Sequence, residues 1–98
     1  MPFCTIVEFV WDETFDREQF ASTIKNAEAD SPPPDGRLSR IVGIDHQGAR
    51  MIEVWRSGAD ARAFAERSAP FLAEAPLPAP SRVVGFEVTD YVVAAPAS

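Results

Sequence analysis

Three glutamates lie inside stretches of the chain that are otherwise apolar. Glu8, Glu53 and Glu87 each stand between two bulky apolar residues, in segments rich in the β-branched and aromatic side chains typical of strands. Burying an unpaired carboxylate costs free energy. Such a residue therefore either pairs with a basic side chain or is one of the few polar groups that line an apolar cleft. A carboxylate in such a cleft can act as a general base. These acids are therefore the most informative polar residues of the sequence.

Side-chain alternation predicts which strand face two of these acids, Glu8 and Glu53, occupy. Glu8 shares a strand face with Ile6, whereas Glu53 shares one with Trp55. If those faces coincide on neighbouring strands, the two carboxylates lie close together, and either Glu8 or Glu53 serves as the catalytic base. The alternative is a structural role, in which the acids form ion pairs across strands or across a subunit interface. The candidate partners for such pairs are Arg40, Arg50, Arg56 and Arg82.

Aromatic residues are frequent on the segments that are expected to face the interior. The simplest interpretation is that most of them form the hydrophobic core. Alternatively, some of them line an apolar cleft between the sheet and the helices, which would hold a small planar ligand. The candidate substrate-binding residues are Trp55, Tyr91, Phe64 and Trp11, with Glu53 beside them.

The patterns of metal and cofactor sites are missing from the sequence. His46 is the single histidine, so a zinc site that needs two imidazoles from one chain is excluded, and a serine triad is not supported. Ser57 is better explained as a helix cap. The five glycines are dispersed and form no phosphate-binding loop. We therefore expect no metal and no cofactor.

The composition is that of a folded domain with an acidic surface. The 98 residues are 46% hydrophobic and 24% charged, which predicts one packed domain over residues 1–98. A net charge of -6 disfavours binding to nucleic acid or to anionic lipid. The N-terminus lacks signal-peptide features, and no segment approaches the roughly 20 apolar residues of a membrane span, so we expect a cytoplasmic protein. Cys4, the single cysteine, is expected to be a buried thiol.

The first half of the chain predicts a strand followed by a helix. The segment FCTIVEFVWD is largely apolar in both alternation sets, as in a strand that is covered on both faces. Asp16 is the expected N-cap of the helix, Gln19 completes a capping box, and Phe15 is placed to pack on Phe20. The proline-rich segment DSPPPDG then ends the helix and forms a surface linker.

The second half predicts a hairpin, a second helix and a last strand. RLSRIVGID and ARMIEVWRS flank the turn DHQG. Ser57 caps the next helix, Asp60 faces its free N–H groups, and Pro70 is expected to kink or restart it. After the connector EAPLPAPS, the strand RVVGFEVTDYVVA carries Gly85 as a bulge position, and residues 96–98 are expected to fray. The apolar stripe of the second helix comprises Ala61, Phe64, Ala65, Ser68, Phe71 and Leu72.

The order of elements is therefore β-α-β-β-α-β, the ferredoxin-like α+β plan, in which an antiparallel sheet carries both helices on one face. Two helices leave the other face of the sheet open. Because the central strands are apolar on both sides, the simplest cover for the open face is the same face of a second copy. The sequence thus predicts a homodimer with its sheets packed face to face.

One segment also resembles a known family. EVWRSGADARAFAERSAPFL is similar to the third strand and second helix of antibiotic biosynthesis monooxygenase-like proteins, which are dimeric α+β barrels. In that pattern a strand Trp precedes a capping residue, an Ala- or Phe-rich helix core, and a Ser-Pro-like kink before a phenylalanine. The residues that match it are Trp55, Ser57, Ala61, Pro70 and Phe71.

The resemblance implies a homodimer with a substrate cleft between sheet and helices. Its members include cofactor-independent oxygenases of polyketide-like aromatics, haem-degrading enzymes and isomerases. This chain lacks the helix histidine of the haem-degrading branch, expected between Phe64 and Arg67, and has Glu8 where the oxygenase branch commonly has an asparagine. The expected function is a cofactor-independent oxygenase, isomerase or cyclase acting on an aromatic or polyketide-like compound. The alternative is a non-catalytic homodimer that binds a small ligand or has a structural role.

Overall fold

A computed structural model of the chain describes residues 1–12, 16–29, 33–74 and 79–93, without the side chains of residues 27–29. Four strands form one antiparallel sheet in the order β2-β3-β1-β4. The strands are β1 (Phe3–Val10), β2 (Arg37–Ile44), β3 (Gly48–Trp55) and β4 (Arg82–Glu87), and the helices are α1 (Arg17–Ala29) and α2 (Gly58–Glu74). The ferredoxin-like α+β fold expected from the sequence is confirmed.

Both helices begin at the caps that the sequence predicts. The Asp16 carboxylate accepts hydrogen bonds from the backbone N–H groups of Glu18 at 2.8 Å and Gln19 at 3.3 Å. At α2, the Ser57 hydroxyl accepts the backbone N–H of Asp60 at 3.2 Å and donates to its carboxylate at 3.1 Å. These contacts satisfy N–H groups that have no partner within the helix. The expected contact of Phe15 lies outside the described residues.

The turn between β2 and β3 is organised by Asp45. Its carboxylate accepts the backbone N–H groups of Gln47 at 2.8 Å and Gly48 at 2.9 Å, and its own N–H donates to the Gly48 carbonyl at 2.9 Å. The predicted hairpin is therefore confirmed, and His46 lies exposed in its turn. Trp11 joins β1 to this turn, because its indole Nε1 donates to the Asp45 carbonyl at 2.8 Å.

The register assigns every strand residue to one of two faces. Phe9 and Ala49 pack under Phe20 and Ile24 of α1, with Val7, Trp11, Val42 and Met51 around them, so the odd-numbered residues of β1 and β3 face the helices. The opposite side of the sheet, which we call the open face, contains three cross-strand rows. They are Ile41-Ile52-Ile6-Val84, Ser39-Val54-Cys4-Phe86 and Gly43-Arg50-Glu8-Arg82.

Three local expectations were wrong. The last strand ends at Glu87 and does not extend to residue 94. Gly85 is paired regularly and marks no bulge; a side chain there would meet the ring of Phe3 at 2.9 Å, which explains the glycine. The bulge of the sheet lies in β2 instead, between Arg37 and Ser39. The alternative that Pro70 restarts α2 is wrong, because the helix continues on both sides of it, whereas a kink there stays a prediction.

Candidate functional site

Glu53 is a buried carboxylate on the side of the sheet that faces the helices. Its side chain lies in β3 opposite Thr5, and the residue is only 6% exposed. The guanidinium of Arg37 donates to it at 3.4 Å, and both side chains are almost fully enclosed. The pair thus places a carboxylate and its counter-charge under the helix layer, where hydrogen bonding offsets the desolvation of both groups.

Arg37 was not among the partners predicted for the strand acids. Arg37 and Arg40 are three residues apart, so simple alternation puts them on opposite faces. The bulge between Arg37 and Ser39 inserts one residue, so that Arg37 pairs with Trp55 and Arg40 pairs with Glu53 on the same face. The bulge positions Arg37 to Ser39 contain no glycine or proline that would mark it, so the sequence did not indicate this partner.

Glu8 lies on the open face. It stands between Arg50 of β3 and Arg82 of β4 in the register, and Arg50 donates to it at 3.4 Å. Arg50 also lies 3.6 Å from the carboxylate of Asp45, so the three side chains form a surface network. The pairing of Glu8 with Arg50 agrees with the structural alternative predicted from the sequence.

The two candidate bases are therefore not close together. Glu8 pairs with Arg50 in the register, whereas Glu53 pairs with Thr5, and the residues of β1 at these two positions point to opposite faces. The expectation that their faces coincide is wrong. In the observed register Glu53 pairs with Thr5, which is an odd number of residues from Glu8 along β1, so the two carboxylates point to opposite faces of the sheet. Glu53 alone of the two lies on the helix side of the sheet.

Trp55 is part of the core and does not form an accessible wall. It is 1% exposed, its Nε1 donates to the Thr5 hydroxyl at 3.3 Å, and its ring lies 5.1 Å from that of Phe64. Trp55 thus lies in the core of this structure, and its contact with a substrate stays a prediction. Phe64 is half-buried, and the guanidinium carbon of Arg67 lies 5.9 Å from the centre of its ring.

The other two candidate ligand residues lie apart from this stack. Trp11 is half-buried beside the β2–β3 turn, with its ring 5.5 Å from that of Phe20. Tyr91 follows β4 and is 38% exposed. The structure therefore brings together Glu53, Trp55 and Phe64, and it separates Trp11 and Glu8 from them.

An uncovered apolar region remains on the helix side of the sheet. The stripe of α2 is buried at Ala61 but becomes exposed along the helix, reaching 48% at Phe71 and 49% at Leu72. On the sheet, Thr5 and Val7 are half-buried, while Val83 is 66% exposed. We call Thr5, Val7, Val83 and Gly85 the helix-side strip; Glu53 adjoins it through its pairing with Thr5.

Two surface cavities lie near the other end of the sheet. One, of about 290 Å³, is bounded by Ile41, Ile52 and Arg50 together with the start of the β2–β3 turn. The second, of about 90 Å³, lies between Glu8, Ser81 and the same turn. Neither includes Glu53 or any of the four predicted ligand-binding aromatics.

Within the described residues, Asp45, Asp60 and Cys4 have perturbed pKa values for identifiable reasons. Hydrogen bonds from the backbone of Gln47 and Gly48 lower the pKa of Asp45. The Arg56 and Ser57 side chains lower the pKa of Asp60 in the cap of α2. Burial raises the pKa of the Cys4 thiol, in agreement with the buried cysteine expected from the sequence. None of the three lies on the helix-side strip.

The described residues contain no metal-binding cluster of His, Cys, Asp and Glu side chains. Neither α1 nor α2, the helices of the described ranges, is long and apolar enough to cross a membrane.

Comparison with known proteins gives matches in structure but not in sequence. No protein-family profile matches the chain, and no curated protein matches it significantly.

Several solved structures share its fold over nearly the whole chain. Rv0793 from Mycobacterium tuberculosis superposes with a TM-score of 0.74 at 15% identity, covering 95% of this chain and 100% of that one. A candidate antibiotic biosynthesis monooxygenase from Chloroflexus aurantiacus J-10-fl gives 0.68 at 18% identity, covering 95% and 98%. The haem-degrading protein Rv3592 from Mycobacterium tuberculosis gives 0.65 at 16% identity, covering 95% and 100%. The chain therefore has the ferredoxin-like α+β fold of antibiotic biosynthesis monooxygenase-like proteins.

Proposed function

We propose that the protein is a small-molecule enzyme of the antibiotic biosynthesis monooxygenase-like type. It would act as a cofactor-independent oxygenase, isomerase or cyclase on an aromatic or polyketide-like compound held between the sheet and the helices. The fold shared with the Chloroflexus protein supports the general class of this proposal. The chain would act as one domain over residues 1–98, and a cytoplasmic location remains a prediction.

The observation that carries the proposal is the incomplete packing of α2 on the sheet. The apolar stripe of α2 is buried at Ala61, but Phe71 and Leu72 further along the same stripe are about half exposed. Val83 on the sheet is exposed as well. Apolar side chains on both the helix and the sheet are thus left accessible, and Glu53 adjoins the helix-side strip through its pairing with Thr5. An apolar site with few polar groups is what a planar organic ligand requires.

In the proposed reaction, Glu53 is the proton acceptor. A positioned carboxylate can take a proton from an acidic C–H or O–H bond of the substrate. Arg37 would hold the carboxylate in place, and Thr5, opposite Glu53, would be the nearest polar side chain of the strip. Phe64 would contact the ring of the substrate, with Trp55 packed behind it. Removal of the proton leaves a stabilised carbanion or enolate, which can react with oxygen or rearrange.

A second candidate, a non-catalytic ligand-binding or structural homodimer, is favoured by one specific observation. Two of the three strand acids already have basic partners: Glu8 pairs with Arg50, and Glu53 pairs with Arg37. A carboxylate in a structural pair stabilises the fold without taking part in chemistry. The two candidates predict different behaviour of Glu53 variants.

Both candidate functions, the enzyme and the non-catalytic protein, include a homodimer formed through the open face. Two of its cross-strand rows are largely apolar, and Ile41, Val10 and Phe86 within this face are 61%, 62% and 45% exposed. A sheet face of this kind is normally covered by another surface. A second copy supplies a surface of matching chemistry, with an Arg50-Glu8-Arg82 row that can form ion pairs with its own counterpart.

Haem is not part of the proposal, although a haem-degrading protein shares the fold. The single histidine of the chain, His46, lies exposed in the β2–β3 turn and not on a strand or helix that faces the interior. The helix side of the sheet therefore offers no imidazole as an axial ligand to haem iron.

A thermal-shift screen against hydroxyquinones, anthrones and flavins tests the proposed site. A compound that binds only the folded state, present at about 100 times its Kd, stabilises it by about 2.7 kcal/mol. We expect Leu72→Ser to abolish the shift given by a binding compound. Leu38→Ser is the matched control, since Leu38 is also 49% exposed but lies on β2. Equal loss in both variants, or no binding compound at all, would contradict the proposal.

A further inference from the structure

We propose that the homodimer interlocks at two equivalent points of the open face, where the ring of Phe86 from each copy fills a hollow over Gly43 of the other. This rests on the proposed function, because both candidate functions include a homodimer through the open face. It adds the orientation of the two copies and the residues that decide which surface the open face recognises.

The hollow lies at one corner of the open face, beside the β2–β3 turn. Its volume is about 290 Å³, and it is bounded by Ile41, Gly43, Ile44, Asp45, Arg50 and Ile52. Three of the six are isoleucines, and the charges of Asp45 and Arg50 lie 3.6 Å apart as a pair. A largely apolar depression of this kind can take one aromatic side chain.

Nothing in the described residues requires a glycine at position 43. Gly43 pairs regularly with Arg50 in the β2–β3 ladder, and its φ is not positive, unlike that of Gly36. A Cβ at this position would meet no other part of the described chain within 4 Å, whereas at Gly85 it would meet the ring of Phe3. Glycine weakens a strand, and it often marks a point where another group approaches closely. The position is therefore open to a side chain from outside this chain.

Phe86 lies at the diagonally opposite corner of the same face. It belongs to β4, the outer strand at the other edge of the sheet, and to the row at the other end from Gly43. Phe86 is 45% exposed, which leaves much of a large apolar ring in water. Aromatic side chains that enter a pocket are frequent anchors of protein interfaces. The open face thus carries both a projecting ring and a hollow.

The positions of these two corners fit a symmetric dimer. β2 and β4 are three strand spacings, or about 14 Å, apart, and the rows of Gly43 and Phe86 are about 13 Å apart along the strands. The patch between them is therefore nearly square. A two-fold axis along its other diagonal, from Ser39 to Arg82, exchanges the two corners when two open faces meet with their strands crossing at roughly 90°. Each Phe86 then lies over Gly43 of the second copy.

The charged row of the open face favours the same orientation. The axis brings Arg82 of each copy beside Glu8 of the other, so that four charges of alternating sign surround this end of the axis. An axis parallel to the strands would instead place Arg82 over the hollow, where its guanidinium would face isoleucines and the like-charged Arg50.

The test exchanges the ring and the hollow and measures the dimer dissociation constant of the full chain by sedimentation velocity. Phe86→Ala removes the ring, and Gly43→Phe fills the hollow with a side chain whose Cβ has room within its own chain. Each single variant should weaken the dimer at least about tenfold. In the double variant Gly43→Phe/Phe86→Ala the ring and the hollow have changed places, so the dissociation constant should return to within about threefold of the wild type. Val83→Ala, on the same strand but on the helix side, is the matched control and should leave the dimer unchanged. Circular dichroism confirms that each variant is folded.

The outcomes separate this inference from the proposed function. If the wild type is a dimer and either Phe86→Ala or Gly43→Phe leaves it as tight, the two copies pack in another orientation and the inference is wrong, while the proposed homodimer stands. A double variant at least as weak as the weaker single variant also overturns it, because independent sites add their effects. If the wild type is a single chain at micromolar concentration, the homodimer and the inference both fail. The thermal-shift screen then still decides whether the helix-side strip, on the other side of the sheet, is a ligand site.

Discussion

At the scale of single residues, the two strand carboxylates differ in what surrounds them. Glu53 is enclosed between the sheet and the helices with Arg37, whereas Glu8 lies on the open face beside an exposed Arg50. Neutralising one partner of an ion pair between largely enclosed side chains lowers the stability of the fold strongly, because the remaining charge stays in a poorly solvated position. An exposed pair contributes little.

This difference predicts the stability of two amide variants. Glu53→Gln should lower the free energy of unfolding by about 3 kcal/mol, because it removes the negative charge from a largely enclosed ion pair with Arg37. Glu8→Gln should change it by less than about 1 kcal/mol. Urea unfolding followed by circular dichroism measures both values. In the double variant Arg37→Met/Glu53→Leu most of the lost stability should return; a double variant as unstable as Glu53→Gln would show that the pair is not the cause.

At the scale of elements, the parts with local signals could be predicted and the parts set by long-range pairing could not. Asp16, Asp45 and Ser57 act on backbone groups within three residues, so their caps and turn follow from the sequence. The β1–β3 register joins residues 38 to 52 positions apart, and it decides which face Glu8 and Glu53 occupy. The bulge in β2, which brings Arg37 to Glu53, has no local signature.

The burial of Trp55 and the exposure of Phe71 illustrate the same limit. Periodicity places both residues on the interior side of their elements, and this much is confirmed for Trp55. How closely α2 packs on the sheet depends on the sizes of all the apolar side chains along its stripe and of the sheet side chains that face them. The accessible end of α2 could therefore not be predicted from spacing alone.

The β2–β3 turn gives a prediction about pH. Backbone N–H groups lower the pKa of Asp45 in the folded state, so its stabilising contribution is complete above the pKa of the unfolded chain and is lost as the pH falls through the folded pKa. Asp45→Asn keeps an oxygen acceptor but does not titrate. We expect the melting temperature of the wild type to exceed that of Asp45→Asn at pH 7, and the difference to shrink between about pH 5 and pH 2. A difference independent of pH would refute this assignment.

At the scale of the whole molecule, the open face predicts self-association. Light scattering with size-exclusion chromatography at micromolar protein should give the mass of two chains. Ile41→Lys places a charge at an exposed position of an apolar row and should give the mass of one chain. Leu38→Lys, on the same strand but at the bulge outside the three rows, should leave the dimer intact. A wild-type mass of one chain would rule out the dimer.

The central claim, that the helix side of the sheet carries out chemistry with Glu53 as the base, is tested most directly by turnover of a compound found in the thermal-shift screen. Product formation is followed by mass spectrometry at a temperature where every variant is folded. The account predicts that the wild type and the exposed-residue control Glu66→Gln convert the compound, while Glu53→Gln binds it without converting it. If Glu53→Gln and Glu8→Gln both convert it at the wild-type rate, neither candidate carboxylate is the base, and the enzymatic proposal is contradicted.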